Sequence, residues 1–271
     1  LESSLGGASY EGSVTLGEAV SLSGAFTATS EALGKLVAFT GTDLPMDLSR
    51  LGKVDARGTV SGSLDALKID IESFSQSSDL AKTDFTGSIL LSDSPTIQGA
   101  LGLVAPNVFE LAKFGGVELP GTAAPLGAAN IKAALSGSLT APEMVFETLT
   151  LKGALIDANY TGGVKVAETI SLDGKFAAVL PQAGDLATQL GIDLPASDAL
   201  ERMEIKGALK GAFDALKLSE LDVKHTGALL NATFAGDVGL GGEGRVDGRL
   251  SASSDELRAL LKAADVEMAP G

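Results

Sequence analysis

The sequence predicts a mainly β protein: an elongated, antiparallel, curved sheet of half-pipe (β-taco-like) form, made of repeats of about 75 residues that each add one short α-helix. Three observations carry that expectation. A mark before a proline recurs, Leu44-Pro45, Leu119-Pro120 and Leu194-Pro195, at steps of 75 residues and each time behind an acidic residue, Asp43, Glu118 or Asp193. Glycines and aromatics keep the same beat: Gly24, Gly99, Gly174 and Gly248 step by 75, 75 and 74, and so do Tyr10, Phe85, Tyr160 and Phe234, each two before a glycine. A third series is Gly62, Gly137 and Gly211. Between these marks apolar and polar residues alternate, the period of a half-buried strand.

A fixed period of this length signals one supersecondary unit stacked on its neighbours, so the chain reads as one continuous array over 1–271. It divides into a partial repeat, 1–45, and three nearly whole ones, 46–120, 121–195 and 196–271, the last ending in a degraded mark at Val266-Glu267-Met268.

Taken in order, the first whole repeat opens with Val54, Ala56, Val60 and Leu64 alternating with Lys53, Asp55, Arg57, Thr59 and Ser61. Leu67, Ile69 and Ile71 then alternate with Lys68, Asp70 and Glu72, and Phe85, Ile89 and Leu91 with Asp84, Thr86 and Ser88. Ser92-Asp93-Ser94-Pro95 supplies turn residues, after which Ile97, Leu101 and Leu103 resume the apolar face. The second repeat gives Ile131, Leu135 and Leu139, then Tyr160, Val164 and Val166, then Ile170, Leu172 and Phe176. The third gives Met203, Ile205, Leu209 and Phe213, then Phe234, Val238 and Leu240, then Val246 and Leu250. One-sided alternation with short turns implies an antiparallel meander, because parallel sheets covered on both faces read as solid apolar runs.

Each repeat then spaces apolar residues for one helical face, as at Leu33, Leu36 and Val37 or Leu257, Leu260 and Leu261. Ser30 and Ser254 suit the cap, Pro106 and Pro181 the first turn, and Gly41, Gly115 and Gly191 the end.

Four or five strands spaced about 4.8 Å apart make a strip roughly 20 Å wide. A helix of about ten residues is about 15 Å long and cannot cover it. The sheet must therefore pack on another sheet, curl until its own faces meet, or keep an apolar strip open to a ligand. In-strand glycines favour curling, since they are where a sheet bends. The residues expected to line the resulting groove are Ile69, Ile71, Phe85, Ile89, Leu101, Leu103, Leu135, Leu139, Tyr160, Val164, Leu172, Phe176, Ile205, Leu209, Phe213, Phe234, Val238 and Leu250.

Composition narrows the function classes. A net charge of −15 opposes nucleic acid as a partner, because phosphate binding is driven by Lys and Arg. The absence of Cys excludes disulfides and thiolate chemistry, and the absence of Trp with only 4% aromatics argues against a membrane barrel with aromatic girdles. No basic, apolar leader precedes Leu1 and no apolar run approaches the length of a membrane span, so the chain reads as soluble, with any leader or anchor outside it.

No catalytic constellation emerges, and no cofactor is implied. Gly239-Leu-Gly241-Gly242-Glu-Gly244 has the spacing of a dinucleotide loop but runs into an alternating strand rather than a helix, and reads as a tight turn. His225, the sole histidine, falls 74 residues after Leu151 on an apolar-face position and reads as structural. Asn231-Ala232-Thr233 fits a glycosylation sequon, whose meaning depends on the source of the chain. Asp43, Glu118 and Asp193 could align for a divalent cation, but fit better as a charged edge that blocks end-to-end sticking, and no metal is expected. Arg57, Lys132 and Lys206 recur on the polar parity as a solvated outer face.

The order of these marks resembles the C-terminal repeat region of the AsmA-like envelope proteins (AsmA/TamB/YhdP type). The copies are Phe85-Thr-Gly87-Ser-Ile89 through Glu118-Leu119-Pro120, Tyr160-Thr-Gly162-Gly-Val164 through Asp193-Leu194-Pro195, and Phe234-Ala-Gly236-Asp-Val238 through Glu267-Met268. The resemblance covers essentially the whole chain. It implies a non-enzymatic periplasmic segment of a bridge in a Gram-negative envelope, tied to the inner membrane through an anchor absent from this chain. Its partner would be phospholipid or another acyl lipid, held in an apolar groove in support of outer-membrane biogenesis. The alternative left open by the residues is a structural or interaction array, a spacer or stalk whose apolar faces close on each other.

Overall fold

The computed structural model of the chain describes residues 2–3, 6–17, 19–31, 48–114, 126–167, 169–191, 197–212, 215–240, 244–256 and 258–259. Its strands are β1 (Glu2–Ser3), β2 (Gly6–Thr15), β3 (Ser21–Ser30), β4 (Lys53–Ser63), β5 (Ala66–Ser77), β6 (Lys82–Leu91), β7 (Thr96–Ala105), β8 (Ala128–Ser138), β9 (Ala141–Lys152), β10 (Asp157–Val166), β11 (Ile170–Leu180), β12 (Arg202–Ala212), β13 (Lys217–Thr226), β14 (Asn231–Gly239) and β15 (Arg245–Ser253). Among the described residues two short α-helices have both ends placed, α1 (Val108–Phe114) and α2 (Ala183–Gln189), and residues 258–259 are helical as well. The protein is mainly β and antiparallel, as its alternation predicts, and strand order is chain order without a crossover. The order begins at β1 and ends at β15, so the sheet is unclosed.

The chain forms two compact units, one of Leu1–Val117, Ala129–Thr148 and Lys165–Glu168, the other of Glu118–Ala128, Leu149–Val164 and Thr169–Gly271. In the first, β2 to β8 pair in turn with Gly12 opposite Gly24, Phe26 opposite Gly58, Gly87 opposite Gly99 and Gly99 opposite Leu135. In the second, β11 to β15 pair with Phe176 opposite Gly207, Val223 opposite Phe234 and Gly236 opposite Gly248.

The turns explain the third glycine series. Gly62, Gly137 and Gly211 sit near the ends of β4, β8 and β12 with φ of 113°, 102° and 121°, a conformation L side chains rarely adopt. One tight turn recurs between the second and third strands of a repeat. Ser78 N–H donates to Ala81 O at 2.9 Å, Gly153 N–H to Ile156 O at 2.8 Å and Gly227 N–H to Leu230 O at 3.1 Å. Ladder irregularities fall in β5 and β13, where one extra residue bends the strand and raises its twist. In β13 the exposed amide of Glu220 is taken up by Asp237 Oδ1 at 3.1 Å.

Several sequence expectations shift. Leu64 and Leu139 lie in the turns after β4 and β8, not on the strands. Helix α1 is capped by Asn107, whose Oδ1 accepts from the amides of Phe109 and Glu110 at 3.0 and 3.3 Å. Pro106 thus precedes the cap rather than occupying the first turn. Pro181 likewise stands before the N-cap Gln182 of α2. Gly191 does end its helix, at φ 70° and with its N–H on Thr188 O. Of the helix expected around Leu257–Leu261, residues 258 and 259 are described and are helical; the helix expected around Leu33–Val37, the acidic Leu-Pro marks, Gly41 and Gly115 lie outside the described residues.

The two helices differ in burial. Helix α1 buries none of its residues. Helix α2 buries Ala183, Gly184, Leu186 and Ala187, its first turn fixed by Ala183 N–H to Glu201 O and Gly184 N–H to Leu200 O, both 2.8 Å. No helix among the described residues is long and apolar enough to cross a membrane, which says nothing of strands.

Candidate functional site

Cross-strand pairs put directly opposed residues on one face, so the ladders decide which predicted groove residues share a surface. In the first unit Ile69 opposes Ile89 and Ile89 opposes Ile97; Phe85 opposes both Phe74 and Leu101; Leu103 opposes Ile131. Ile71 lies across from Gly87 and Leu135 across from Gly99. Ile69, Ile71, Phe85, Ile89, Leu101, Leu103 and Leu135 therefore share one face, all half-buried except Phe85, which is 8% exposed. Leu139 is not among them: it stands in its turn, its N–H on Pro95 O at 3.0 Å.

In the second unit Leu172 opposes Gly211, Phe176 opposes Gly207, Ala178 opposes Ile205 and Gly174 opposes Leu209. Leu218 opposes Val238, and Phe234 opposes Leu250. Tyr160 and Val164 share parity in β10, and the Tyr160 ring lies over Gly174, which brings them to the same face as Leu172 and Phe176. Phe213 lies outside the described residues. Leu250 and Val246 are 70% and 69% exposed on β15.

The periodic aromatics and glycines turn out to be one device. A Cβ built on Gly99 would sit 2.6 Å from the Phe85 ring, on Gly174 2.6 Å from the Tyr160 ring, on Gly248 2.8 Å from the Phe234 ring and on Gly24 2.9 Å from the Tyr10 ring. Each ring covers the glycine of the next strand, filling space that a side chain would otherwise occupy. The two tyrosines also donate to a carbonyl three residues on, Tyr10 to Ser13 O at 3.0 Å and Tyr160 to Gly163 O at 2.9 Å. Burial, with the Asp173 carboxylate adding to it, holds the Tyr160 phenol above its ordinary range.

Sequence reasoning missed Phe74 and Val223, which belong to this face. Their parity disagrees with Ile69 and Ile71, or with Leu218, because the extra residue in β5 and β13 flips the alternation between them. A flip of this kind is visible in sequence only as broken alternation.

The polar face of the second unit carries a recess of roughly 500 Å³. Ala177 and Val179 line it together with Asp157, Asn159, Glu204, Lys206, Asp222 and Lys224. Lys206 Nζ lies 2.9 Å from Asp222 Oδ2, and that hydrogen bond, with the carboxylate charge, raises the ammonium pKa. Both side chains are more than half exposed, so the pair contributes little to stability. Arg57 and Lys132 are exposed as well.

His225 is 5% exposed, and its Nε2 accepts from the Glu201 amide at 3.1 Å, which makes Nδ1 the protonated nitrogen. Gln76, the matching residue of the first whole repeat, is 8% exposed and donates from Nε2 to Leu51 O. Both side chains tie a strand end to the segment that leads into the repeat. Among the described residues no cluster of three or more His, Asp or Glu is placed to hold a metal ion.

No family model, no curated protein and no solved structure matches the chain.

Proposed function

We propose that this chain is a periplasmic segment of a bridge-like lipid carrier of a Gram-negative envelope, in which acyl chains lie along the apolar strand face while headgroups stay toward solvent. On this reading the chain is not an enzyme, its partner is phospholipid or another acyl lipid, and an anchor outside it ties it to the inner membrane. The observation that carries the proposal is the run of opposed aliphatics in the first unit, Ile69, Ile89 and Ile97 on three successive strands, each only half-buried. Contiguous apolar surface of this kind usually marks a binding face. Each methylene brought onto it would gain about 0.8 kcal/mol, and a row of near-equal sites would let a chain slide.

Native mass spectrometry of the purified protein is expected to show bound phospholipid, and photo-crosslinkers at Leu101 and Leu135 to capture it in cells. Lipid-free protein together with empty crosslinks would sink the proposal. The second reading is a structural array, favoured by Phe85, Tyr160 and Phe146 standing at only 8–9% exposure, as packed rings do. It predicts that Leu101→Asp lowers stability without changing lipid content.

A further inference from the structure

Strand β15 is exposed at each of its nine residues and, among the described residues, has a single ladder neighbour, β14. In the repeat it stands where β3, β7 and β11 stand, since Gly24, Gly99, Gly174 and Gly248 are equivalent. Those three strands pair on their other side with β4, β8 and β12 in matching registers: Gly24 with Val60, Gly99 with Leu135, Gly174 with Leu209. The bonding side is fixed as well. Leu64 N–H donates to Val20 O and Leu139 N–H to Pro95 O, so every second residue from Val20 and from Pro95, Gly24 and Gly99 included, directs its backbone groups toward β4 and β8. By the same step Val246, Gly248, Leu250 and Ala252 direct theirs to the free edge of β15.

The side-chain chemistry that would suit a next neighbour of β15 can be read from the three ladders. A branched aliphatic faces the periodic glycine, and a small residue faces the bulky one two places on: Gly58 opposite Phe26, Ala133 opposite Leu101, Gly207 opposite Phe176. The three partners share the run Ala56-x-Gly58-x-Val60-x-Gly62, Ile131-x-Ala133-x-Leu135-x-Gly137 and Ile205-x-Gly207-x-Leu209-x-Gly211. On the outer face Asp173 of β11 pairs with Lys210 of β12 at 3.1 Å. Asp247 is its counterpart on β15, 3.6 Å from Arg245 of its own strand.

The geometry points to β15 as a docking edge for the leading strand of a further repeat of the same array: an antiparallel strand with the run [Ile/Ala]-x-[Gly/Ala]-x-[Leu/Val]-x-Gly and a basic residue opposite Asp247. A bare edge is a template for pairing, and here the template has a defined register and polarity. The inference does not depend on lipid binding.

A labelled synthetic peptide of the Arg202–Ala212 sequence, titrated with the full chain, tests it by fluorescence anisotropy. Saturable binding is expected below about 1 mM. Leu250→Pro, which removes an amide aimed at the free edge, is expected to weaken it about tenfold or more, and Asp247→Lys about threefold or more, with far-UV circular dichroism of both variants unchanged. Absence of binding up to about 1 mM overturns the proposal, as does binding that Leu250→Pro leaves intact. Dimerisation of the free chain in sedimentation velocity that Leu250→Pro abolishes also overturns it, because the edge would then belong to a second copy of β15.

Discussion

Glycine carries the repeat at the residue scale, and for two different reasons. Gly62, Gly137 and Gly211 hold a positive φ at strand ends. Gly24, Gly99, Gly174 and Gly248 lie under rings. At Gly99 an added Cβ would be 2.3 Å from Thr86 O and 2.6 Å from the Phe85 ring, and a backbone oxygen cannot rotate away. Gly99→Ala is expected to lower unfolding free energy in urea by about 2 kcal/mol or more, the range of an overpacked core. Gly163→Ala is the control: its nearest neighbour, Asp173 O, is 3.9 Å away, and the change should stay within about 0.5 kcal/mol. Equal effects at the two positions would refute the ring-over-glycine account. The aromatic-x-Gly spacing is legible in the sequence, whereas the glycine of the next strand that lies under each ring is set by the ladder register. The role of His225 is only partly legible, because the equivalent residues Gln76, Leu151 and His225 share no chemistry that a pattern could register. What Gln76 and His225 share is a bond to the incoming segment.

At the scale of elements, alternation located the strands because it tracks the one variable that defines a strand here, which side chain faces which way. It failed where one extra residue entered β5 and β13, leaving Phe74 and Val223 on the wrong parity. It also overran the turns at Leu64 and Leu139, where an apolar residue in phase with the strand looks like its continuation. The helices were harder to place, since seven residues give only two turns of apolar spacing and the prolines invited a start two residues too early. The cap of α1 falls to Asn107, which satisfies two amides of a helix with no fully buried residue. Asn107→Ala is expected to cost about 1 kcal/mol of local helix stability. Because α1 adds no buried side chain, the loss should appear as faster amide exchange at Phe109 and Glu110 while the global urea midpoint hardly moves. A large midpoint shift would mean that α1 covers the sheet after all.

The whole molecule carries 35 acidic against 20 basic side chains, and that imbalance sets its response to salt. The ion pairs on the strand faces are exposed: Lys206–Asp222 at 67% and 54%, Lys210–Asp173 at 75% and 70%, Arg245–Asp247 at 85% and 76%. Exposed pairs contribute little each, and screening weakens them. Screening equally weakens the repulsion among the surplus carboxylates of a chain at −15, which opposes every compact arrangement of it. The surplus should win, since each unpaired carboxylate repels many others while each pair gains once. Raising NaCl from about 20 to about 200 mM shortens the screening length from roughly 20 Å to about 7 Å, enough to cut repulsion between neighbouring strands' outer rows. The urea midpoint is therefore expected to rise with NaCl over this range at pH 7. A fall would show that the exposed pairs outweigh the net charge.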